Sequence, residues 1–164
     1  TLAGHESAVA GVAWSPTGRQ VASSGGGGTV GELLVWDADS GTMLRSIPGI
    51  PSVIFRVVWS RDGRFLIGGG STGVLHWWDA ESGIEIQRHQ SHTGWVRSLN
   101  VSPDGLMLLS SGEDGVIHLW DIARAELIRK LRIDRPYERM DISGLRGVSE
   151  AAHYGLLALG AIET

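Results

Sequence analysis

The chain has 164 residues, of which 14 are basic and 18 acidic, and it has a net charge of −4 and no cysteine. This charge is not the basic footprint of a nucleic-acid-binding protein, and a chain without cysteine has no disulfides and no thiolate metal ligands. No apolar run is long enough for a membrane-spanning helix. We therefore expect a cytoplasmic protein with neither nucleic-acid nor membrane partners.

Each of three repeats predicts four strands, because short runs rich in β-branched and aromatic residues alternate with turns of Gly, Pro, Asp and Ser. In chain order the predicted strands are 9–14, 19–24, 32–36 and 43–47; then 53–59, 64–69, 74–78 and 84–88; then 95–101, 106–111, 116–120 and 127–133. The first repeat carries three extra residues in the glycine run 25–28, which we interpret as a flexible turn insertion.

A Trp-Asp pair closes the third strand of every repeat. Trp36, Trp78 and Trp120 are each followed by aspartate and are 42 residues apart. A period of about 40–45 residues that ends in this pair is typical of a four-stranded propeller blade. The predicted fold is therefore all-β, with three four-stranded blades in residues 1–133, at about 2–47, 48–90 and 91–133.

The C-terminal tail, residues 134–164, leaves the repeat, since Pro136 interrupts the strand pattern. A short helix is predicted at about residues 150–159. Ser149 is a suitable N-cap, Glu150 places an acid in the first turn, and Gly160 is a suitable end.

The repeats resemble those of the WD-repeat β-propeller family over residues 2–133. This resemblance implies a hydrogen-bonded tetrad in each blade, made by a histidine before the first strand, a serine or threonine in the second, an aspartate before the third, and the tryptophan. The positions that match are His92, Ser110, Asp114 and Trp120 in the third repeat, His5, Ser23 and Trp36 in the first, and Trp78 in the second.

Two repeats depart from the tetrad pattern. In the first repeat the aspartate is expected to be lost in the glycine insertion. In the second, Ile50, Gly68 and Thr72 occupy the positions of histidine, serine and aspartate. We therefore expect the middle blade to be held mainly by packing and to be the least stable.

Three blades are fewer than the roughly four to eight of a closed propeller. The first residues read as the end of a preceding blade, so we expect the chain to be cut from a longer protein whose further blades are partners of these three. Residues 135–147 and 156–163 resemble a tail that follows the last WD repeat in large bacterial signalling proteins with an NB-ARC-type (STAND) nucleotide switch. That resemblance implies the sensor or partner-recognition end of a signalling NTPase, and a stand-alone WD-repeat scaffold is the alternative.

The family resemblance also implies partner-contacting positions at the start of the first strand and just before the turn aspartate. These candidate partner-binding residues are Trp95, Arg97 and Glu113 in the third repeat and Val53, Phe55 and Ser71 in the second. An exposed tryptophan beside arginine and phenylalanine has the composition of a binding hot spot. The alternative is that Trp95 and Phe55 only cover the blade ends.

The sequence gives little support for a dinucleotide-binding, metal or hydrolase site. Residues 26–31 match G-x-G-x-x-G, but a strand follows them where a dinucleotide loop needs a helix. His76 and His118 occupy equivalent blade positions two residues before tryptophan, which explains them better than a metal site does. No G-x-S-x-G nucleophile motif occurs. We predict no catalytic, cofactor or metal residues, a protein partner, and a non-enzymatic role; a propeller enzyme with a loop-borne site is the remote alternative.

Overall fold

The structure is a computed structural model that describes residues 2–132, 137 and 139–163. The chain divides into two compact units, Thr1–Leu131 and Arg132–Thr164. The first unit contains three four-stranded antiparallel sheets, which we call blades 1 to 3. This confirms the predicted fold class.

Neighbouring strands in each blade are also neighbours in sequence, so every connection within a blade is a hairpin. Blade 1 consists of β1 Ala8–Trp14, β2 Gln20–Gly27, β3 Val30–Asp37 and β4 Met43–Ile50. Blade 2 consists of β5 Ile54–Trp59, β6 Phe65–Gly70, β7 Val74–Asp79 and β8 Glu85–Gln90. Blade 3 consists of β9 Val96–Val101, β10 Met107–Gly112, β11 Val116–Asp121 and β12 Glu126–Arg132. The strand ends differ from the predicted ones by at most three residues, and residue 133, predicted as the last strand residue, lies outside the described residues.

The glycine run differs from the prediction of a flexible turn insertion. Gly25 and Gly26 lie in β2 and pair with Glu32 and Gly31 of β3, so the extra residues lengthen a hairpin. A Cβ atom on Gly25 would lie 2.0 Å from the carbonyl oxygen of Ala8 in β1. Glycine is therefore required because three strands approach closely at this point.

The hydrophobic core lies between the blades rather than within them. Blades 1 and 2 enclose one cluster of buried side chains, which includes Leu33, Val35, Ile54, Leu66 and Trp78. Blades 2 and 3 enclose a second cluster, which includes Ile67, Leu75, Trp77, Val96 and Trp120. Because side chains alternate between the two faces of a strand, the adjacent Trp77 and Trp78 serve different interfaces.

The second unit contains the helix α1, Glu150–Ala158, which confirms the short C-terminal helix. The Ser149 hydroxyl accepts a hydrogen bond from the backbone N–H of Ala152 at 3.2 Å, as an N-cap does. Asp141 and Ile162 form an isolated parallel bridge in the same unit. The strand-breaking Pro136 lies outside the described residues. The described part of the chain contains no helix that is long and apolar enough to span a membrane.

Candidate functional site

Blade 3 contains a complete hydrogen-bonded tetrad. The Ser110 hydroxyl lies 2.8 Å from Nε2 of His92 and accepts a hydrogen bond from Nε1 of Trp120 at 3.0 Å. Nδ1 of His92 lies 3.1 Å from both carboxylate oxygens of Asp114. These contacts join the chain before β9 to β10 and β11, and every polar group in the network has a partner.

Asp114 also fixes the backbone on both sides of the tetrad. Its carboxylate accepts hydrogen bonds from the N–H groups of Thr93 at 3.0 Å and Val116 at 3.1 Å. Burial by itself would raise the pKa of Asp114, but these backbone hydrogen bonds and the contact with His92 outweigh it and lower the pKa. The carboxylate therefore stays ionised and acts as a structural anion.

Blade 1 also has a complete tetrad, in which Glu32 supplies the carboxylate in place of the aspartate that this repeat lacks. Trp36 Nε1 donates to the Ser23 hydroxyl at 2.7 Å, and His5 Nε2 lies 2.6 Å from the same oxygen. Nδ1 of His5 lies 2.6 Å from a carboxylate oxygen of Glu32. Glu32 lies four residues before Trp36, whereas Asp114 lies six residues before Trp120. The longer glutamate side chain therefore reaches His5 from a position inside the strand β3. A tetrad pattern that requires an aspartate six residues before the tryptophan does not identify Glu32.

Blade 2 fills the tetrad positions with apolar contacts. A Cβ atom on Gly68 would lie 2.9 Å from Cζ3 of Trp78, so the indole occupies the space that a serine side chain takes in blades 1 and 3. The Trp78 ring stacks on His76, with 5.1 Å between ring centroids and 8° between planes. Nδ1 of His76 hydrogen-bonds to the Glu85 carboxylate. Ile50 is buried in the cluster between blades 1 and 2. That this blade is the least stable stays a prediction.

His118 occupies in blade 3 the position of His76 but has different neighbours. Its ring stacks on His92 with 4.5 Å between centroids, and within the described residues its Nδ1 has no hydrogen-bond partner. Burial, together with the nearby His92 and Lys130, lowers the pKa of His118 to about 4. Since Glu85 lies 42 residues before Leu127, blade 3 has a leucine where blade 2 supplies a carboxylate for this imidazole.

The described residues contain no group of three or more His, Asp or Glu side chains that could hold a metal ion.

Four of the six candidate partner-binding side chains lie together, and we call them the aromatic rim: Phe55, Trp95, Arg97 and Glu113. The Phe55 and Trp95 rings are 5.1 Å apart between centroids and tilted by 58°. The Arg97 guanidinium lies 4.7 Å from the Trp95 ring centroid and forms an ion pair with Glu113. Glu113 also accepts a hydrogen bond from the backbone N–H of Trp95 at 3.2 Å. Trp95 remains 42% exposed.

The other two candidates, Val53 and Ser71, are half-buried. Their backbones are joined by a hydrogen bond of 3.0 Å from the N–H of Ser71 to the carbonyl of Val53. No side-chain contact joins either residue to the aromatic rim among the contacts described. The rim itself spans two blades, because Phe55 lies in β5 and Trp95 directly precedes β9.

Comparisons with known proteins agree with this architecture. A family model described as "WD domain, G-beta repeat" matches residues 1–31 and 83–121. Two similar solved structures are "Crystal structure of RRP9 WD40 repeats" and "Structure of U3-55K", each 22% identical with a TM-score of 0.74. They cover 81% and 80% of this chain, whereas this chain spans only 41% of each of them. No curated protein matches. The matched repeat model and the solved structures show what this chain is similar to, and its fold is that of WD40 propeller blades.

Proposed function

We propose that the chain is part of a protein–protein interaction scaffold and that the aromatic rim is its partner-binding surface. WD40 domains are in general scaffolds of this kind, and the fold is typically non-enzymatic. The observation that carries the assignment is the half-exposed Trp95, which is held between Phe55 and Arg97 from two different blades. Tryptophan and arginine are the side chains most enriched in binding hot spots.

The rim is suited to binding because its side chains are already ordered. Trp95 is fixed by an aromatic contact on one side and a cation–π contact on the other, so little side-chain freedom remains to be lost on binding. The Arg97–Glu113 ion pair is largely exposed, and exposed pairs contribute little to folding stability. The pair can therefore be exchanged for contacts with a partner at small cost to the fold.

A double substitution tests this surface. We expect Trp95→Ala with Arg97→Ala to abolish capture of a specific protein from extracts of the source cells without lowering the melting temperature. The matched control is Ile128→Ala with Arg129→Ala, an exposed apolar–basic pair on the outer strand β12. A captured set that is the same for wild type, double variant and control would refute the assignment.

The exposed outward face of blade 1 indicates a second binding partner, which is a further blade of the same full-length protein. Trp14 of β1 is 65% exposed, whereas Trp59 at the equivalent position of β5 is 7% exposed because blade 1 covers it. Val12 and Val57 show the same contrast. Blade 1 thus presents to solvent the positions that blade 2 buries in an interface.

The outward face of blade 3 is uncovered in the same way. Leu109 is 42% exposed and its equivalent in blade 2, Ile67, is fully buried; Ile117 and Leu75 form a similar pair.

We expect Trp14→Ala to cost about 3–5 kcal/mol of unfolding free energy in a longer chain with preceding blades. In the present chain it should cost less than about 1 kcal/mol. Equal costs in the two chains would contradict coverage by another blade.

For the whole protein we propose a cytoplasmic bacterial signalling NTPase in which these blades are the sensor end and binding biases a switch elsewhere. The resemblance of the tail supports this context. Determining the coding sequence upstream of Thr1 tests it directly. A nucleotide-binding loop before further Trp-Asp repeats is the expected result, whereas repeats alone would leave a stand-alone scaffold.

A further inference from the structure

A small pocket lies between blades 2 and 3, at the end of the strands opposite the aromatic rim. The rim residues lie at the start of β5 and β9, whereas the pocket lies at the start of β6 and at the turn between β11 and β12. Its volume is about 150 Å³, and a cavity of about this size holds a group as large as benzene. Apolar side chains, among them Phe65, Ile86 and Ile122, form much of its lining. The pocket therefore has room for one side chain or chain end of a partner.

The pocket is lined by a buried hydrogen-bond donor that has no acceptor. Trp77 is 1% exposed, and its only polar atom, Nε1, has no hydrogen-bond partner within the described residues. Three other buried indoles, those of Trp36, Trp59 and Trp120, each donate to an oxygen atom. The indole nitrogen carries a hydrogen and can only donate. Because buried polar atoms almost always have a partner in folded proteins, an acceptor is missing beside Trp77.

The equivalent position between blades 1 and 2 is filled by the chain itself. Arg45 of β4 occupies the position that Gln87 has in β8, 42 residues later. The Arg45 guanidinium donates to the carbonyl of Ala80 in blade 2 at 2.6 Å. Its aliphatic part packs on the same turn, since a Cβ atom on Gly83 would lie 2.9 Å from Cδ of Arg45. An arginine of blade 1 thus closes the first interface.

Blade 2 has no such arginine at the second interface. The side chain of Gln87 is shorter, and its amide nitrogen lies 3.1 Å from Nε2 of His89 on the same strand. On the other side of the pocket, Ile122 and Ala125 of blade 3 are the counterparts of the residues that Arg45 contacts. Replacement of arginine by glutamine therefore leaves a space here that blade 1 fills at its own interface.

Both charged side chains in the lining of the pocket are cations. The Arg64 guanidinium lies 4.9 Å from the Phe65 ring centroid and forms no ion pair within the described residues. Arg124 forms an ion pair with Asp121 at 3.0 Å, but its side chain is 71% exposed, and exposed pairs contribute little to stability. The counterpart of Arg124 in blade 2 is Ser82. The interface with the open pocket is thus also the one at which this turn carries a cation.

We propose that this pocket binds the carboxylate of a partner peptide, to which Trp77 donates from Nε1 while Arg64 and Arg124 supply charged donors. The occupant is an anion because both charged groups in the lining are cations, and guanidinium groups bind carboxylates through parallel hydrogen bonds. It is an organic carboxylate because the remaining walls are largely apolar and contact methylene groups. The site contains no residue of the aromatic rim and does not depend on the function proposed for that surface.

The first test follows the indole N–H signal of Trp77 by NMR while the chain is titrated with capped amino acids. We expect N-acetyl-glutamate N-methylamide to shift this signal in a saturable way, and the neutral glutamine analogue to leave it unchanged. The N–H signal of Trp59, which donates to the carbonyl of Ala13 at 3.2 Å, is the internal control and should not move. N-acetyl-leucine presents a free α-carboxylate, and tighter binding of this probe would identify a chain end, rather than a glutamate side chain, as the source of the carboxylate.

The second test removes the cations one at a time. Arg64→Gln and Arg124→Gln should each weaken binding of the tighter carboxylate probe about tenfold, since each removes a charge-assisted contact. The matched control is Arg19→Gln, at the position of Arg64 in blade 1, which should retain the wild-type affinity. All three arginines are exposed, so these substitutions remove no buried side chain.

Three results would overturn the proposal. The first is that neither carboxylate probe shifts the Trp77 signal saturably, or that the glutamine analogue binds as tightly as the glutamate probe. The second is that both arginine variants bind as tightly as the wild type. The third is that inorganic phosphate binds about tenfold more tightly than either carboxylate probe, which would assign the pocket to a different anion.

Discussion

His118 should make the stability of blade 3 depend on pH between pH 7 and pH 5, which lies above the ordinary pKa values of carboxyl groups, about 3.9 for Asp and about 4.3 for Glu. The ring is buried, stacks on His92, and has no hydrogen-bond partner for Nδ1 within the described residues. Asp114 favours the charged form of His118, but burial and the charges of His92 and Lys130 oppose it more strongly, so the pKa is lowered. The folded chain therefore holds this imidazole neutral.

The size of the effect follows from the two pKa values of His118, 6.5 as the ordinary value and about 4 in the folded chain. Because the folded-state pKa is the lower one, the unfolded chain binds more protons between these values, and stability falls as the pH decreases from 6.5 toward 4. One pKa unit corresponds to about 1.4 kcal/mol. Between pH 7 and pH 5 the unfolding free energy should therefore fall by about 2 kcal/mol through this residue alone.

Urea unfolding of the wild type and His118→Leu at pH 7 and pH 5 measures this contribution. Leucine is the residue that blade 1 has at the equivalent position, Leu34, where it is buried. We expect the loss between the two pH values to be about 2 kcal/mol smaller in the variant. His76→Leu, the matched change in blade 2, should leave that loss in place. An equal loss in the wild type and His118→Leu would refute the assignment.

Three further substitutions test the contacts within and between blades. Asp114→Ala should lower the unfolding free energy by about 2 kcal/mol because three donors lose their acceptor, whereas Thr72→Ala, the matched change in blade 2, should cost less than about 0.5 kcal/mol in urea unfolding. Gly68→Ser should destabilise the chain by about 1–3 kcal/mol instead of restoring a tetrad, because its Cβ would overlap Trp78; a raised melting temperature would show that the indole can move. Trp77→Ala should cost about 3–5 kcal/mol by removing one of the two tryptophan side chains between blades 2 and 3, and a change below about 1 kcal/mol would contradict that packing.

The sequence predicted the architecture well because the same strand pattern occurs in three repeats. The turn residues and the Trp-Asp pairs recur in register, so each of the four strands of a blade is predicted independently in all three repeats. Strand alternation by itself requires the side chains of Trp77 and Trp78 to lie on opposite faces of β7, and Trp77 lies 5.7 Å from Trp120 between ring centroids. These predictions depend on local backbone chemistry and on strand period, and both can be read from a single chain.

The sequence could not show contacts that depend on side-chain reach. Glu32 takes the role of the aspartate that the first repeat lacks, because its longer side chain reaches His5 from a different strand position. Gly68 leaves room for the indole of Trp78, and His76 stacks on that indole. The contact between Phe55 and Trp95 joins residues 40 positions apart in different blades. Such contacts depend on the distance between strands of different sheets, and the repeat period of the sequence does not specify that distance.

The distribution of polar networks and interfaces has a consequence for the cooperativity of folding. Blades 1 and 3 each contain a hydrogen-bonded tetrad that joins their own strands, whereas blade 2 has none and is covered on both faces, with Leu66 buried against blade 1 and Ile67 against blade 3. In a repeat array, the stability of each unit is the sum of its own contacts and those at its interfaces. Blade 2 therefore depends mainly on its neighbours. If its interface with blade 1 or with blade 3 is lost, blade 2 should unfold before the blade from which it was separated. The middle blade can do without a tetrad because packing on two sides holds its strands together.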